Sequence, residues 1–220
     1  MDKEKVVVSF SGGKDCTLAL YRMIKSGYKI IGLLVTFENK KDSYFHKIPR
    51  NVFQDISKEL EIPLIEIDCS NKNNYEEEFE LALKASKDKG AEICVFGDID
   101  IEAHRSWCLD RCKAAEIKGV FPLWQENREK LTNEFIDCGF KAIIKKVNLK
   151  ALGIEFLGKE LTKDVVNEIK NLGCDPCGEN GEYHTLVFDG PIFKNSIKFN
   201  KSGTEVTENY GYLTVNGLLD

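Results

Sequence analysis

Short apolar runs recur along the first half of the chain, at Val6 to Phe10, Ile30 to Thr36, Pro63 to Ile67 and Ile93 to Gly97. Each is rich in branched side chains and closes on polar or glycine-bearing sequence, the pattern of a strand buried on both faces. Val120 to Trp124 supplies a fifth. Between the runs the period changes. Val52, Phe53, Ile56 and Leu60 repeat at helical spacing after Pro49, and Tyr75, Phe79, Ala82 and Leu83 do the same. Strand, helix, strand in series predicts right-handed crossovers and a parallel sheet covered by helices.

After Trp124 the rhythm differs. Leu131, Phe135 and Cys138 predict a helix, Ala142 to Val147 a strand, and Val165, Val166, Ile169 and Leu172 a second helix that Gly173 ends. A strand follows at Tyr183 to Phe188, then a hairpin around Ser202-Gly203, from Ser196 to Val206. The expected organisation is an α/β domain over residues 1–125 and a smaller α+β domain over 126–220.

Composition narrows the class only a little. The 220 residues are 42% hydrophobic and 30% charged, an ordinary globular mixture. A net charge of -5 argues against a protein that wraps non-specifically around nucleic acid, which needs a basic surface. The apolar stretch at the N-terminus is too short for a signal peptide or a membrane helix, so no membrane partner is expected. The expected compartment is therefore cytoplasmic, with the eight cysteines kept as thiols. A homo-oligomer is compatible with the sequence.

Candidate chemistry begins where the first apolar run ends, in Ser11-Gly12-Gly13-Lys14-Asp15-Cys16. A strand delivers the chain to two glycines and a helix starts at once. Gly12 and Gly13 can adopt backbone angles closed to other residues and let amide N–H groups approach an anion. The helix start adds unpaired N–H groups and a positive dipole end, and Lys14 adds a full charge. The spacing matches neither a Walker loop nor a dinucleotide-binding glycine turn.

This loop resembles the PP-loop of the ATP pyrophosphatase superfamily, whose usual form ends in Ser where this chain has Cys16. The resemblance implies a HUP/Rossmann-like sheet of the adenine nucleotide alpha hydrolase type, five parallel strands ordered 3-2-1-4-5. It also implies ATP cleaved between its α- and β-phosphates. In such sheets the ligand sits where strand order reverses, so the resemblance brings Gly97 and Asp98, ending strand 4, to the ATP beside Ser11 to Cys16. Thr36, ending strand 2, is expected near the adenosine by the same analogy. Asp15 and Asp98 are the candidates to hold Mg²⁺, since hard oxygen ligands suit that ion. Cys16 reads as a small side chain in a serine's place, with a reactive thiol at a helix N-terminus as the alternative.

A second block, Gly173-Cys-Asp-Pro-Cys-Gly-Glu-Asn-Gly-Glu-Tyr-His-Thr185, sets Glu179 and Glu182 around a glycine, with His184 close behind. Joined to the loop, to Gly97-Asp98-Ile99 and to Pro122-Leu123-Trp124, it is similar to the diphthine–ammonia ligase family over nearly the whole chain. The resemblance implies an enzyme that adenylates a substrate carboxylate, releases AMP and pyrophosphate, and transfers ammonia to the acyl group. The acceptor implied is diphthine on a translation elongation factor. In that scheme Lys14, Glu179, Glu182 and His184 are the catalytic candidates, and His104, Arg105 and Tyr183 the substrate-binding ones. No glutaminase module is legible, which implies free ammonia or a separate donor.

Two positions depart from the family pattern. Ala103-His104-Arg105-Ser106-Trp107 stands where the diphthine branch carries Tyr-Gln-Arg-x-Arg, and His184 stands where it carries Glu. Both lie in the expected acceptor region, which keeps open a corrinoid-related acid of cobalamin salvage. Sulfur transfer to RNA is a further alternative, with Cys108, Cys112, Cys174 and Cys177 as a zinc set. Against zinc, Cys108 and Cys112 have the i, i+4 spacing of a buried helical face, where cysteine serves as a small apolar residue. Trp107 reads as core and Trp124 as packing.

Overall fold

The computed structural model describes residues 3–38, 42–70 and 74–217. Two compact units divide the chain. The first holds Met1–Ser11, Asp15–Phe45 and Glu61–Gln125; the second holds Gly12–Lys14, His46–Leu60 and Glu126–Asp220.

In the first unit, β1 (Lys5–Ser9) pairs in parallel with β2 (Lys29–Phe37) on one side and β4 (Ile93–Val95) on the other. β3 (Leu64–Asp68) extends the sheet beyond β2 and β5 (Lys118–Val120) beyond β4, so the order is β3-β2-β1-β4-β5. A strand flanked on both sides and covered on both faces meets no water, which is why its centre is unbroken valine, Val6 to Val8. Its helices include α1 (Lys14–Lys25, from Asp15 onward), α3 (Tyr75–Asp88) and α4 (Glu102–Ala114). Leu34, Phe79, Leu83, Cys94, Phe96 and Cys112 are among the side chains packed into its core.

The fifth apolar run is displaced from its expected position. The strand covers Lys118–Val120, not Val120 to Trp124, because Pro122 has no N–H to give a ladder. The chain turns instead: Trp124 N–H donates to Phe121 O at 3.2 Å and Gln125 N–H to Ile99 O at 2.6 Å.

In the second unit, an antiparallel sheet runs β7-β6-β9-β8, from β6 (Lys141–Asn148), β7 (Tyr183–Asp189), β8 (Phe199–Val206) and β9 (Tyr210–Gly217). Three helices belong here: α2 (Arg50–Leu60), α5 (Arg128–Asp137) and α6 (Lys163–Asn171). Asn127 caps α5 by accepting from Lys130 N–H, and Thr162 caps α6 by accepting from Val165 N–H. The helical spacing after Pro49 is fully used, since Val52, Phe53, Ile56 and Leu60 are the buried residues of α2. The hairpin expected at Ser202-Gly203 lies elsewhere. Those residues sit inside β8 at a register shift against β9, and the turn falls after Val206, closed by Thr207 and Tyr210. Glycine there marks a bulge rather than a turn. No described helix is long and apolar enough to cross a membrane.

Candidate active site

In the first unit the site residues gather at the carboxyl ends of β1, β2 and β4. Gly97 is the pivot. A Cβ on it would lie 2.6 Å from Cys16 N and 2.8 Å from Asp15 C, so the exit of β4 meets the first turn of α1 backbone to backbone. Cys16 is 5% exposed, and its Sγ lies 3.5 Å from Ser11 Oγ.

Asp98 follows Gly97 and is largely desolvated. Burial pushes its carboxyl pKa up; His104, with Nδ1 3.6 Å from Oδ1, pulls the other way, and the Asp15 carboxylate adds to the rise. Thr36, at the end of β2, hydrogen-bonds Tyr75, whose ring stacks on Trp107 at 5.3 Å. Trp107 is only partly buried and donates from Nε1 to Glu76 at 3.0 Å, so it is a ledge beside the core rather than part of it. The guanidinium of Arg105 lies 4.8 Å from the Trp124 ring and 5.8 Å from Phe121. Its Nη1 is 3.4 Å from Glu102, while its buried Nε has no hydrogen-bond partner.

In the second unit the glycine loop is fastened along β7. Gly12, at φ 78°, accepts from Val187 N–H at 2.9 Å, and Lys14 N–H donates to Thr185 Oγ1 at 3.0 Å. One of the open donors of α1 is thus satisfied by a side chain far along the chain. The Lys14 side chain is 4% exposed, with its ammonium 5.8 Å above the Tyr183 ring.

The acidic block is held by its own carboxylates. Glu182 accepts from Asp175 N–H at 3.0 Å, Asn180 N–H at 3.1 Å and Asn180 Nδ2 at 3.2 Å. Asp175 accepts from the N–H groups of Cys177 and Glu179, and from Arg128 Nη1 at 2.6 Å. Tyr183 Oη donates to Pro176 O at 2.6 Å. Glu182 therefore ties the ends of the turn together, with half-buried Glu179 on the turn between them. The His184 ring lies against that of His46, with centroids 4.7 Å apart and planes tilted by 34°. Burial first, then the Lys146 and Lys14 charges, bring the His184 pKa down to about 3.

Sequence reasoning missed His46, Lys145 and Lys146. The available signal was the pair of lysines inside the apolar run Ala142 to Val147. All eight cysteines are free. Cys108 and Cys112 lie on the buried face of α4, where burial and the Asp98 charge push the Cys108 thiol pKa far up, against thiolate chemistry. Cys174 donates to Ala151 O at 3.4 Å, and burial raises its pKa too.

A glycine-lysine loop on the central strand of a parallel 3-2-1-4-5 sheet defines the PP-loop ATP pyrophosphatase class. Within that class the chain belongs to the diphthamide synthase family. The family's N-terminal domain matches residues 4–119 and its C-terminal domain residues 127–218. The relatives named diphthine–ammonia ligase, an ATP-dependent carbon–nitrogen ligase, include the mouse protein, 29% identical over 90% of this chain and 84% of its own length. The human protein is 28% identical over 88% of this chain and 82% of its own length. The Schizosaccharomyces pombe protein is 28% identical over 88% of this chain, which spans only 36% of that longer relative.

Proposed function

We propose that the chain is an amide-forming ligase that activates a carboxylate with ATP and passes the acyl group to ammonia. A carboxylate oxygen attacks the α-phosphorus of ATP, the bond from that phosphorus to the bridging oxygen breaks, and pyrophosphate leaves. Ammonia then attacks the acyl carbon, AMP departs with the electron pair of the C–O bond, and the nitrogen loses a proton. The observation that carries this reading is the buried Lys14 at the end of a glycine loop that β7 holds in place. A cation fixed there neutralises charge on the departing pyrophosphate without reorganising.

Nucleotide chemistry is assigned to residues 1–125, and acceptor chemistry to 126–220 together with His104 and Arg105. Ser11 to Cys16, Gly97 and Asp98 line the phosphates, and Thr36 lies by the adenosine. The aromatic ledge of Tyr75 and Trp107 extends that end with a flat surface. Arg105, oriented by Trp124, and His104 meet the acceptor's polar groups, and Tyr183 supports the acidic turn through its hydroxyl on Pro176. Glu179 takes the proton from the attacking nitrogen, and the neutral His184 ring orients ammonia by accepting a hydrogen bond. Glu182 positions Glu179 by holding the turn. The Asp15 and Asp98 carboxylates suit magnesium, because a hard cation would relieve the repulsion that helps raise Asp98. When bound, the ion supplies charge neutralisation on the phosphate oxygens.

The relatives' names favour diphthine as the acceptor, while His104 and His184 depart from the diphthine pattern and make a corrinoid-related acid the comparison to run. ATP–pyrophosphate exchange with each acid in turn tests the scheme. Exchange is expected with one acid and to fall about 10²-fold or more in Lys14→Ala, the scale of losing a preorganised charge contact. Wild-type exchange in Lys14→Ala would remove the proposed role of the loop.

A further inference from the structure

Strand register in the second unit sets four polar side chains in one line across its sheet. Lys146 of β6 lies opposite His184 of β7 on one side and Tyr212 of β9 on the other, and Tyr212 lies opposite Glu205 of β8. Side chains paired directly across antiparallel strands share a face, and Tyr210, two residues before Tyr212, joins them. Two further residues lie along this row. The His46 ring faces His184 with centroids 4.7 Å apart, and the Lys47 ammonium is 3.1 Å from Glu205 and 4.2 Å from the centre of the Tyr212 ring. Lys47 has φ 49°, a left-handed conformation unfavourable for a residue with a Cβ. Such strain persists where the surroundings fix it, and it gathers at ligand sites.

The row has one cation without an acid. Glu205 answers Lys47, whereas the half-buried Lys146 meets tyrosine faces, its ammonium 4.3 Å from the centre of the Tyr210 ring and 5.5 Å from that of Tyr212. Burial first, then the Lys47 charge, hold the Lys146 pKa below the usual lysine range, and a bound anion would offset both. His46 is 7% exposed, and its Nδ1 has no hydrogen-bond partner among the described residues. A buried ring nitrogen left open calls for a ligand.

We propose that Lys146 determines specificity for the acceptor by receiving one of its carboxylates, with the His46 Nδ1–H as a second donor. One unanswered ammonium matches the single charge of a carboxylate. The His184 ring, which orients ammonia in the ligase scheme, is the direct neighbour of Lys146 across the ladder, so the acyl group and the attacking nitrogen are held on adjacent strands. The role in the acceptor rests on that scheme, while the seat itself is read by binding without turnover.

The chain has three histidines, at 46, 104 and 184, so imidazole proton–nitrogen spectra resolve the seat directly. At constant pH and ionic strength, titrating the full chain with acetate is expected to shift the His46 and His184 resonances along one saturation curve. Acetamide, the same shape without the charge, is expected to leave them in place. Lys146→Gln should weaken acetate about tenfold or more, the scale of one charge-assisted hydrogen bond, and Lys146→Arg, which keeps the charge, should retain binding. Should Lys146→Gln lose its dispersed spectrum, Glu205→Gln on the exposed strand β8 decides, since removing the row's own carboxylate should tighten acetate about threefold. Unmoved rings, an equal response to acetamide, wild-type acetate affinity in Lys146→Gln or unchanged affinity in Glu205→Gln would each overturn the seat. Phosphate saturating the same shifts at lower concentration than acetate would overturn its assignment to a carboxylate. In ATP–pyrophosphate exchange, Lys146→Gln should raise the KM for the acid and leave that for ATP unchanged; an unchanged KM for the acid would overturn the seat with the scheme intact. Acetate shifts that depend on Lys146, with no exchange for any acid, would sink the ligase scheme alone.

Discussion

Replacing Gly97 by alanine adds one carbon at the tightest backbone approach in the first unit. That carbon would lie 2.6 Å from Cys16 N, 2.8 Å from Asp15 C and 2.9 Å from Cys16 Cα. Reaching even 3.0 Å, the near limit for real Cβ contacts, requires the β4 exit and α1 to part by about 0.4 Å. Every neighbour is main chain, so no rotamer absorbs the clash. Gly97 is also absent from the positive-φ residues, so the cost is crowding and not torsional strain. Overpacking of this kind costs about 1–3 kcal/mol. For a chain of this length each kcal/mol lowers Tm by about 2–4 °C. The same movement shifts Asp15 against Asp98, and misplacement approaching 1 Å costs about 10²-fold in rate. Gly97→Ala should therefore melt lower by scanning fluorimetry and lose most of its ATP–pyrophosphate exchange. Gly173→Ala is the control, with φ 79° and nothing within 4 Å of its added carbon. It should cost about 1 kcal/mol in torsion and leave exchange intact. A Gly97→Ala protein with wild-type Tm and exchange would refute the close approach.

Glu182→Gln replaces an acceptor oxygen with an NH₂ group facing backbone donors, and should destabilise the turn by about 1–3 kcal/mol. Faster amide exchange at Asp175 and Asn180 would show it, and unchanged protection would exclude the staple. The paired histidines His46 and His184 set a pH dependence. His184, brought down to about 3, and His46, also lowered, stay neutral in the fold while the unfolded chain protonates them near pH 6.5. Their stability contribution is full above pH 6.5 and is lost as pH falls, at about 1.4 kcal/mol per pH unit for each ring. Urea midpoints between pH 6.5 and 5, above the carboxylate range, should fall accordingly, and less steeply in His184→Asn; a flat profile would contradict neutral burial. Metal analysis should find no stoichiometric zinc, and thiol reagents should count eight cysteines in denaturant while reacting slowly with Cys108 and Cys112 in the native protein. Tightly bound zinc released on denaturation would revive the metal set.

What the sequence disclosed and what it withheld differ in range. The valine run of β1, the helical spacing of α2 and the Ser-Gly-Gly-Lys order are local, and each has a local physical cause. The fastening of the loop is not local. The acceptor for Lys14 N–H is Thr185, 171 residues away, and nothing near Lys14 announces it. The same holds for Glu182, which reads as a free carboxylate between glycines until the turn closes and its oxygens meet Asp175 and Asn180. Strand ends suffered for a related reason. Pro122 cuts β5 short by denying it a donor, and Gly203 interrupts β8 without ending it, so the same glycine-for-turn rule succeeds at Gly173 and misplaces the hairpin at Gly203.

The lysine pair in β6 shows what a local reading can recover. Two consecutive charges within an otherwise apolar, buried run violate the pattern that builds the strand, and burying an ammonium is costly unless something answers it. A bulge is one of the few devices that lets both side chains turn toward one region, and the register shift between Ile144 and Lys146 supplies it. The break in periodicity was therefore visible before the fold was known, as was its location. What the sequence did not disclose is the company the pair keeps, since the register of β6 on β7 that sets Lys146 opposite His184 exists only in the folded chain. Local violations of pattern mark where a chain has spent stability, and the tertiary neighbours say on what.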